Sequence, residues 1–144
     1  MDSLKLVVIA VIGGIASAFQ GQFMGVIDSR VGSKESVFIT YVSGGILAAL
    51  MMLVARGGHL NLWHKMPWYT LTTGLLGLVV VGAIGFTAPR LGLGKAFTII
   101  VASQLIAAVV FDQFGLFGAA VRVLSVQRLV GLVVMILGVW LILK

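Results

Sequence analysis

Five apolar blocks, each close to the length needed to cross a bilayer, run through this chain, and the basic residues sit between them or at their edges. A helix needs about 20 apolar residues to span the hydrocarbon core. Five such helices take about 100 of the 144 residues and leave enough for the ends and four short connections. The blocks run from about Leu4 to Ile27, Ser36 to Ala55, Trp68 to Ala88, Lys95 to Phe117 and Arg128 to Lys144. Backbone N–H and C=O groups find no water in lipid, so only helices or closed barrels cross it, and these blocks are too long and too uniformly apolar for barrel strands. The expected fold is an all-α integral membrane protein, a single domain over residues 1–144 with five transmembrane helices.

Composition excludes most other classes. The chain is 60% apolar and 10% charged, against roughly 45–50% and about 25% in soluble proteins, which argues against a soluble enzyme or a disordered regulator. The net charge of +6 is dispersed between apolar blocks, whereas nucleic-acid binding needs it gathered on one face, so no nucleic-acid partner is expected. With no cysteine, thiolate metal sites and disulfides drop out. His59 and His64, five apart and without a nearby carboxylate, make a poor metal motif. No nucleophile–base pair, G-x-S-x-G, HExxH or phosphate loop is present. Neither an enzyme, a metal nor a cofactor is expected.

The first block imitates a secretory signal, with Lys5, an apolar run and Ala16-Ser17-Ala18 as a small-residue cleavage site. Asp2 offsets Lys5, however, and four further spans follow, so the block reads as a retained helix. The clearest stop is Pro89-Arg90 with the tight Leu91-Gly92-Leu93-Gly94 turn, since proline lacks a donor and glycine ends helices cheaply. Trp63, Trp68 and Tyr69 mark one membrane interface and Trp140 the other.

Five spans put the two chain ends on opposite faces. Lys5, Arg56, Lys65, Arg122 and Arg128 then share one face, and Arg30, Lys34, Arg90, Lys95 and Lys144 the other. The tie leaves the positive-inside rule without a preferred orientation. Dual topology and antiparallel pairing of two copies are the expectation, because two opposed five-helix units reproduce the inverted repeat of many secondary transporters, with the substrate at the repeat interface. The alternative is that translocon details or an accessory factor fix one orientation despite the tie. Each copy is half of such a transporter, with helices 1–4 lining a cavity and helix 5 outside.

Small residues at Gly13, Ser17, Gly21 and Gly25 recur every four positions along helix 1. Such a stripe lets another backbone approach closely, so Gly13, Gly21 and Gly25 are expected to serve helix packing. Helix 3 carries a looser set, Gly74, Gly77, Gly82 and Gly85, and helix 5 carries Gly131 and Gly138. Polar residues inside spans usually face a cavity or another helix. Ser and Thr can bond to their own helix, but the amides of Gln20 and Gln104 each hold two donors and an acceptor that one helix cannot satisfy. They either line an uncharged hydrogen-bonding cavity or join helix 1 to helix 4. Ser17, on the Gln20 face, together with Ser103 and Tyr41 completes the candidate substrate contacts. Asp112 alone among the acidic residues lies inside a block, where a carboxylate at helix centre costs about 2.5–3.5 kcal/mol. It is either an interfacial carboxylate paired with a nearby Arg or Lys, or a coupling or gating group.

Several pieces in order along the chain resemble the YdcZ-like family of the drug/metabolite transporter superfamily. They are Gln20-Gly21-Gln22, Pro67-Trp68, Ala88-Pro89-Arg90-Leu91-Gly92, Ser103-Gln104-Leu105-Ile106, Asp112-Gln113-Phe114-Gly115-Leu116-Phe117-Gly118, and Arg128-Leu129 with Gly131 and Gly138. The resemblance implies a five-helix half-transporter of a bacterial inner membrane. Ten-helix relatives look like two such halves fused, and four-helix multidrug relatives work as antiparallel dimers. Two departures matter. Met24 stands where an asparagine would be expected, and nothing replaces the helix 1 glutamate with which the small multidrug exporters exchange protons for cations. Proton-coupled export of organic cations is therefore not carried over. The expected activity is alternating-access movement of a small polar or amphipathic molecule by a homodimer embedded in lipid. The alternative is a channel-like or accessory subunit that needs a paralogous partner.

Overall fold

The structure, a computed structural model, describes residues 3–118 and 120–144. Asp2, which entered the N-terminal charge balance, lies outside them. Among the described residues there is no strand, and five helices are long and apolar enough to cross a membrane. They are α1 (Ser3–Val31), α2 (Ser33–Val54), α3 (Thr73–Leu91), α4 (Leu93–Phe114) and α5 (Val126–Leu143). A 3-10 turn at Trp68–Thr72 feeds directly into α3, and another occupies Leu60–Lys65 in the second connection.

The helix ends differ from the sequence expectation in an instructive way. The polar run Asp28-Ser29-Arg30 does not end α1, which continues to Val31. Polar side chains at a membrane interface are hydrated, so polarity alone gives no reason for the backbone to leave the helix. What ends it is Gly32, at φ +114, a region that side-chain-bearing residues rarely enter. One residue therefore separates α1 from α2. Gly92, at φ +84, is the single residue between α3 and α4. Pro89 lies inside α3 and does not stop it. In a last turn, proline deletes one helical hydrogen bond, the one to the Gly85 carbonyl. The Arg90 guanidinium adds one back nearby, donating to the Phe86 carbonyl at 2.5 Å. At its far end α4 stops at Phe114, short of Phe117, because Gly115 turns left-handed (φ 60) and its N–H bonds to the Phe111 carbonyl. Ser125 caps α5, its hydroxyl accepting from the Arg128 N–H at 3.3 Å.

The chain divides into two compact units, Met1–Arg90 and Leu91–Lys144. In the first, α1 and α2 pack together, and every buried residue sits toward one end of the helices: Gly21 and Met24 of α1, Ser36 of α2, and Ile84, Gly85 and Ala88 of α3. Lipid tails are as apolar as leucine, so close packing and interhelical hydrogen bonds hold such helices together. Both occur here. A Cβ on Gly85 would lie 2.7 Å from Met24 Cε, so the absent side chain is what lets Met24 reach α3. The Ser36 hydroxyl, fully buried, donates to the Met24 carbonyl at 3.0 Å.

The second unit is an antiparallel helix pair tied by charge at both ends. Lys95, in the first turn of α4, donates from Nζ to the Leu143 carbonyl at the end of α5, 3.2 Å away. At the other end Asp112 of α4 faces Arg128 of α5. A cation in a first turn and an anion in a last turn each oppose their own helix dipole. Lys95, Asp112 and Arg128 are all placed this way, so their positions serve the pairing and not the individual helices.

Candidate substrate groove

Along α2, Tyr41, Gly44, Gly45 and Ala48 fall at i, i+3, i+4 and i+7, which puts them on one helical face. That face, with Gln20 of α1 and Val81 of α3, lines a groove of about 310 Å³ in the first unit. Gly44 and Gly45 leave its wall bare, since a Cβ on either would meet nothing within 4 Å. Tyr41 crosses toward α3, and its hydroxyl lies 2.6 Å from where a Cβ on Gly77 would stand. Gly77 is therefore the residue that admits the phenol. Thr40 also borders the groove, but its hydroxyl is spent on the Ser36 carbonyl at 2.9 Å.

Two polar groups in the groove remain unspent. Among the described residues, the Gln20 amide and the Tyr41 hydroxyl make no hydrogen bond. Gln20 also borders a second depression of about 290 Å³ between α1 and α2, with Phe23, Met24, Ile39 and Ser43. An amide brought into hydrocarbon without a partner costs about 1–3 kcal/mol on protein-derived scales. No charged side chain lines either space. The arrangement offers hydrogen bonds to a guest and no fixed charge.

The other sequence candidates fall elsewhere. Ser17 donates to the Gly13 carbonyl at 2.9 Å and Ser103 to the Ile99 carbonyl at 2.8 Å, each within its own helix. Gln104 is an exposed residue of α4, in the second unit, and its amide makes no hydrogen bond among the described residues. Asp112 stands 3.9 Å from Arg128 through Oδ2 and Nη1. Of the helix 1 packing candidates, Gly21 is buried, while a Cβ on Gly13 or Gly25 would meet nothing within 4 Å. Gly77 and Gly85 are the glycines at which the side chain of another helix comes close, with Tyr41 Oη and Met24 Cε 2.6 and 2.7 Å from where a Cβ would stand. Among the described residues no three His, Cys, Asp or Glu side chains gather as a metal site would require.

Sequence reasoning passed over one polar cluster. Asp28 pairs with Arg90 (Oδ2 to Nη1, 3.8 Å) and accepts a hydrogen bond from the Ser33 hydroxyl. Arg90 Nη2 reaches Ser33 Oγ at 3.5 Å, and its guanidinium stacks on Phe86, 3.9 Å from the ring centroid. The spacing of Asp28 and Ser33 around a lone glycine was a usable sign of a tight helix–helix joint. Nothing local pointed to Arg90 as their partner.

The fold and the groove define a multi-pass helical membrane protein with an uncharged polar recess inside its spans. The model of the family described as "Putative inner membrane exporter, YdcZ" matches residues 5–141, nearly the full length, and the chain belongs to this family. No curated protein and no solved structure matches it.

Proposed function

We propose that this protein is a small transporter that exports an uncharged polar or amphipathic molecule by alternating access, as an antiparallel homodimer. The observation that carries the substrate reading is the pair of unspent groups, the Gln20 amide and the Tyr41 hydroxyl, beside the bare Gly44–Gly45 wall. A guest with hydroxyl, amide or carbonyl groups would satisfy both groups and displace nothing charged. The even split of Lys and Arg between the two faces supports dual topology. The open faces at Gly13 and Gly14 offer a second copy room for close approach.

The test is counterflow in proteoliposomes against a panel of neutral polar and amphipathic metabolites. Gln20→Ala is expected to lower flux of the transported compound roughly two- to tenfold, the loss of one net hydrogen bond. Gln104→Leu tests the second amide in the same vesicles. If neither variant alters flux, both assignments fail. Flux that never saturates and shows no counterflow would indicate a conduit, and a stoichiometric second protein in the purified sample would indicate an accessory subunit. A coupling role for Asp112 predicts that Asp112→Asn abolishes ion-driven accumulation while counterflow persists.

A further inference from the structure

Below Asp112 and Arg128, a cavity of about 440 Å³ opens between α4 and α5. Its walls are Leu105, Ala108 and Val109 from one helix and Gly131 and Leu132 from the other, so it is apolar along its length and charged at one end. The two charged groups are incompletely used. They stand 3.9 Å apart, and their side chains are 40% and 43% exposed. Among the described residues the Asp112 carboxylate accepts no hydrogen bond, and Arg128 bonds only through its backbone. A carboxylate has room for about four donors and a guanidinium has five N–H groups to give. The linker after α4 folds back here, the Arg122 backbone N–H bonding to the Asp112 backbone carbonyl at 2.8 Å.

We propose that this groove is a binding site for an ethanolamine phospholipid of the surrounding membrane, with its ammonium on Asp112, its phosphate on Arg128 and one acyl chain along Ala108 and Gly131. Charge complementarity selects this occupant. A lipid head that carries an anion and a cation one short link apart meets both groups at once, the Arg128 guanidinium suiting the phosphate. A primary ammonium donates N–H bonds to the carboxylate, which a quaternary choline cannot do. An apolar span of a neighbouring copy would fill the apolar length and leave both charges bare. The proposal needs nothing from the transport reading above.

Native mass spectrometry of the detergent-purified protein, with equal amounts of phosphatidylethanolamine, phosphatidylcholine and phosphatidylglycerol, tests it. The ethanolamine lipid should be retained in preference to the other two. Asp112→Asn should remove that preference while phosphatidylglycerol is still held. Arg128→Gln should lower retention of all three about tenfold, the scale of a lost charge-assisted hydrogen bond. Gly131→Leu supplies a variant that touches no charge. A Cβ there meets nothing within 4 Å, so the side chain has space in the groove and should expel the lipid while the helix content by circular dichroism stays unchanged. Equal retention of the three lipids, or retention untouched by Gly131→Leu, would overturn the proposal. Competition by tailless phosphoethanolamine at the same concentration as the lipid would also overturn it, in favour of a soluble zwitterion.

Discussion

Two carboxylate–guanidinium pairs of similar separation lie at helix ends in this protein, and they do different work. Asp28–Arg90 spans 3.8 Å and Asp112–Arg128 spans 3.9 Å. The first is the better filled: Asp28 is only 11% exposed and takes the Ser33 hydroxyl, while Arg90, though 47% exposed, bonds to the Phe86 carbonyl and lies on its ring. The second has both partners about two-fifths exposed and no further bonds to either charge among the described residues. Distance alone does not separate them. The fate of the remaining lone pairs and N–H groups does, because an ionic group near a membrane is stable only when those are filled by protein, water or ligand. The better-filled pair is a joint between α1 and α3, and the open pair is the one with capacity left for a guest.

The contrast can be broken most forcefully at the joint. Asp28→Ala strips Arg90 and Ser33 of their partner. Removing one member of a buried pair costs about 3–5 kcal/mol, and the half-exposed Arg90 reduces this to roughly 2 kcal/mol. A clear fall in the thermal midpoint in detergent is expected, and an unchanged midpoint would show that the joint bears no load. Next in size is Gly85→Val, which drives a side chain into Met24 Cε and should destabilise by about 1–3 kcal/mol. Adding Met24→Ala should recover part of that loss, since it empties the space the new side chain needs. The smallest effect is expected at the open pair. Asp112→Asn should move stability by no more than about 0.5 kcal/mol, as an exposed ion pair does. A midpoint drop as large as that of Asp28→Ala would erase the distinction between the two pairs.

The same contrast explains what the sequence conveyed. Hydropathy alone specified five helices, because a bilayer leaves an apolar stretch of this length few alternatives. Helix ends were less legible. The run Asp28-Ser29-Arg30 and the imide of Pro89 both looked like stops, yet α1 and α3 pass through them and end at glycines with positive φ. Backbone handedness ended these helices, and polarity is a poor proxy for it. Gln20 and Tyr41 were visible as polar residues in apolar surroundings, and they share a groove. The wall between them, the i, i+3, i+4, i+7 run from Tyr41 to Ala48, was passed over, because Gly44 and Gly45 carry no side chain to mark the space they leave open. The Asp28–Arg90 pair joins residues 62 positions apart on different helices, and no local pattern reports such a contact. Asp112 drew attention for lying inside an apolar block, whereas Asp28, the more buried of the two carboxylates, looked like an ordinary connection residue.

Orientation in the membrane is the point on which the transporter reading turns, and the absence of cysteine makes it directly measurable. The label belongs at Asn61, exposed in the 3-10 turn of the second connection, where the backbone has no positive φ to strain a new side chain. Intact cells carrying Asn61→Cys would be treated with a membrane-impermeant maleimide before and after permeabilisation. An antiparallel homodimer predicts that about half the protein is labelled from outside and the remainder only once the membrane is opened. Labelling from one side alone would contradict dual topology and, with it, the antiparallel pairing of identical copies.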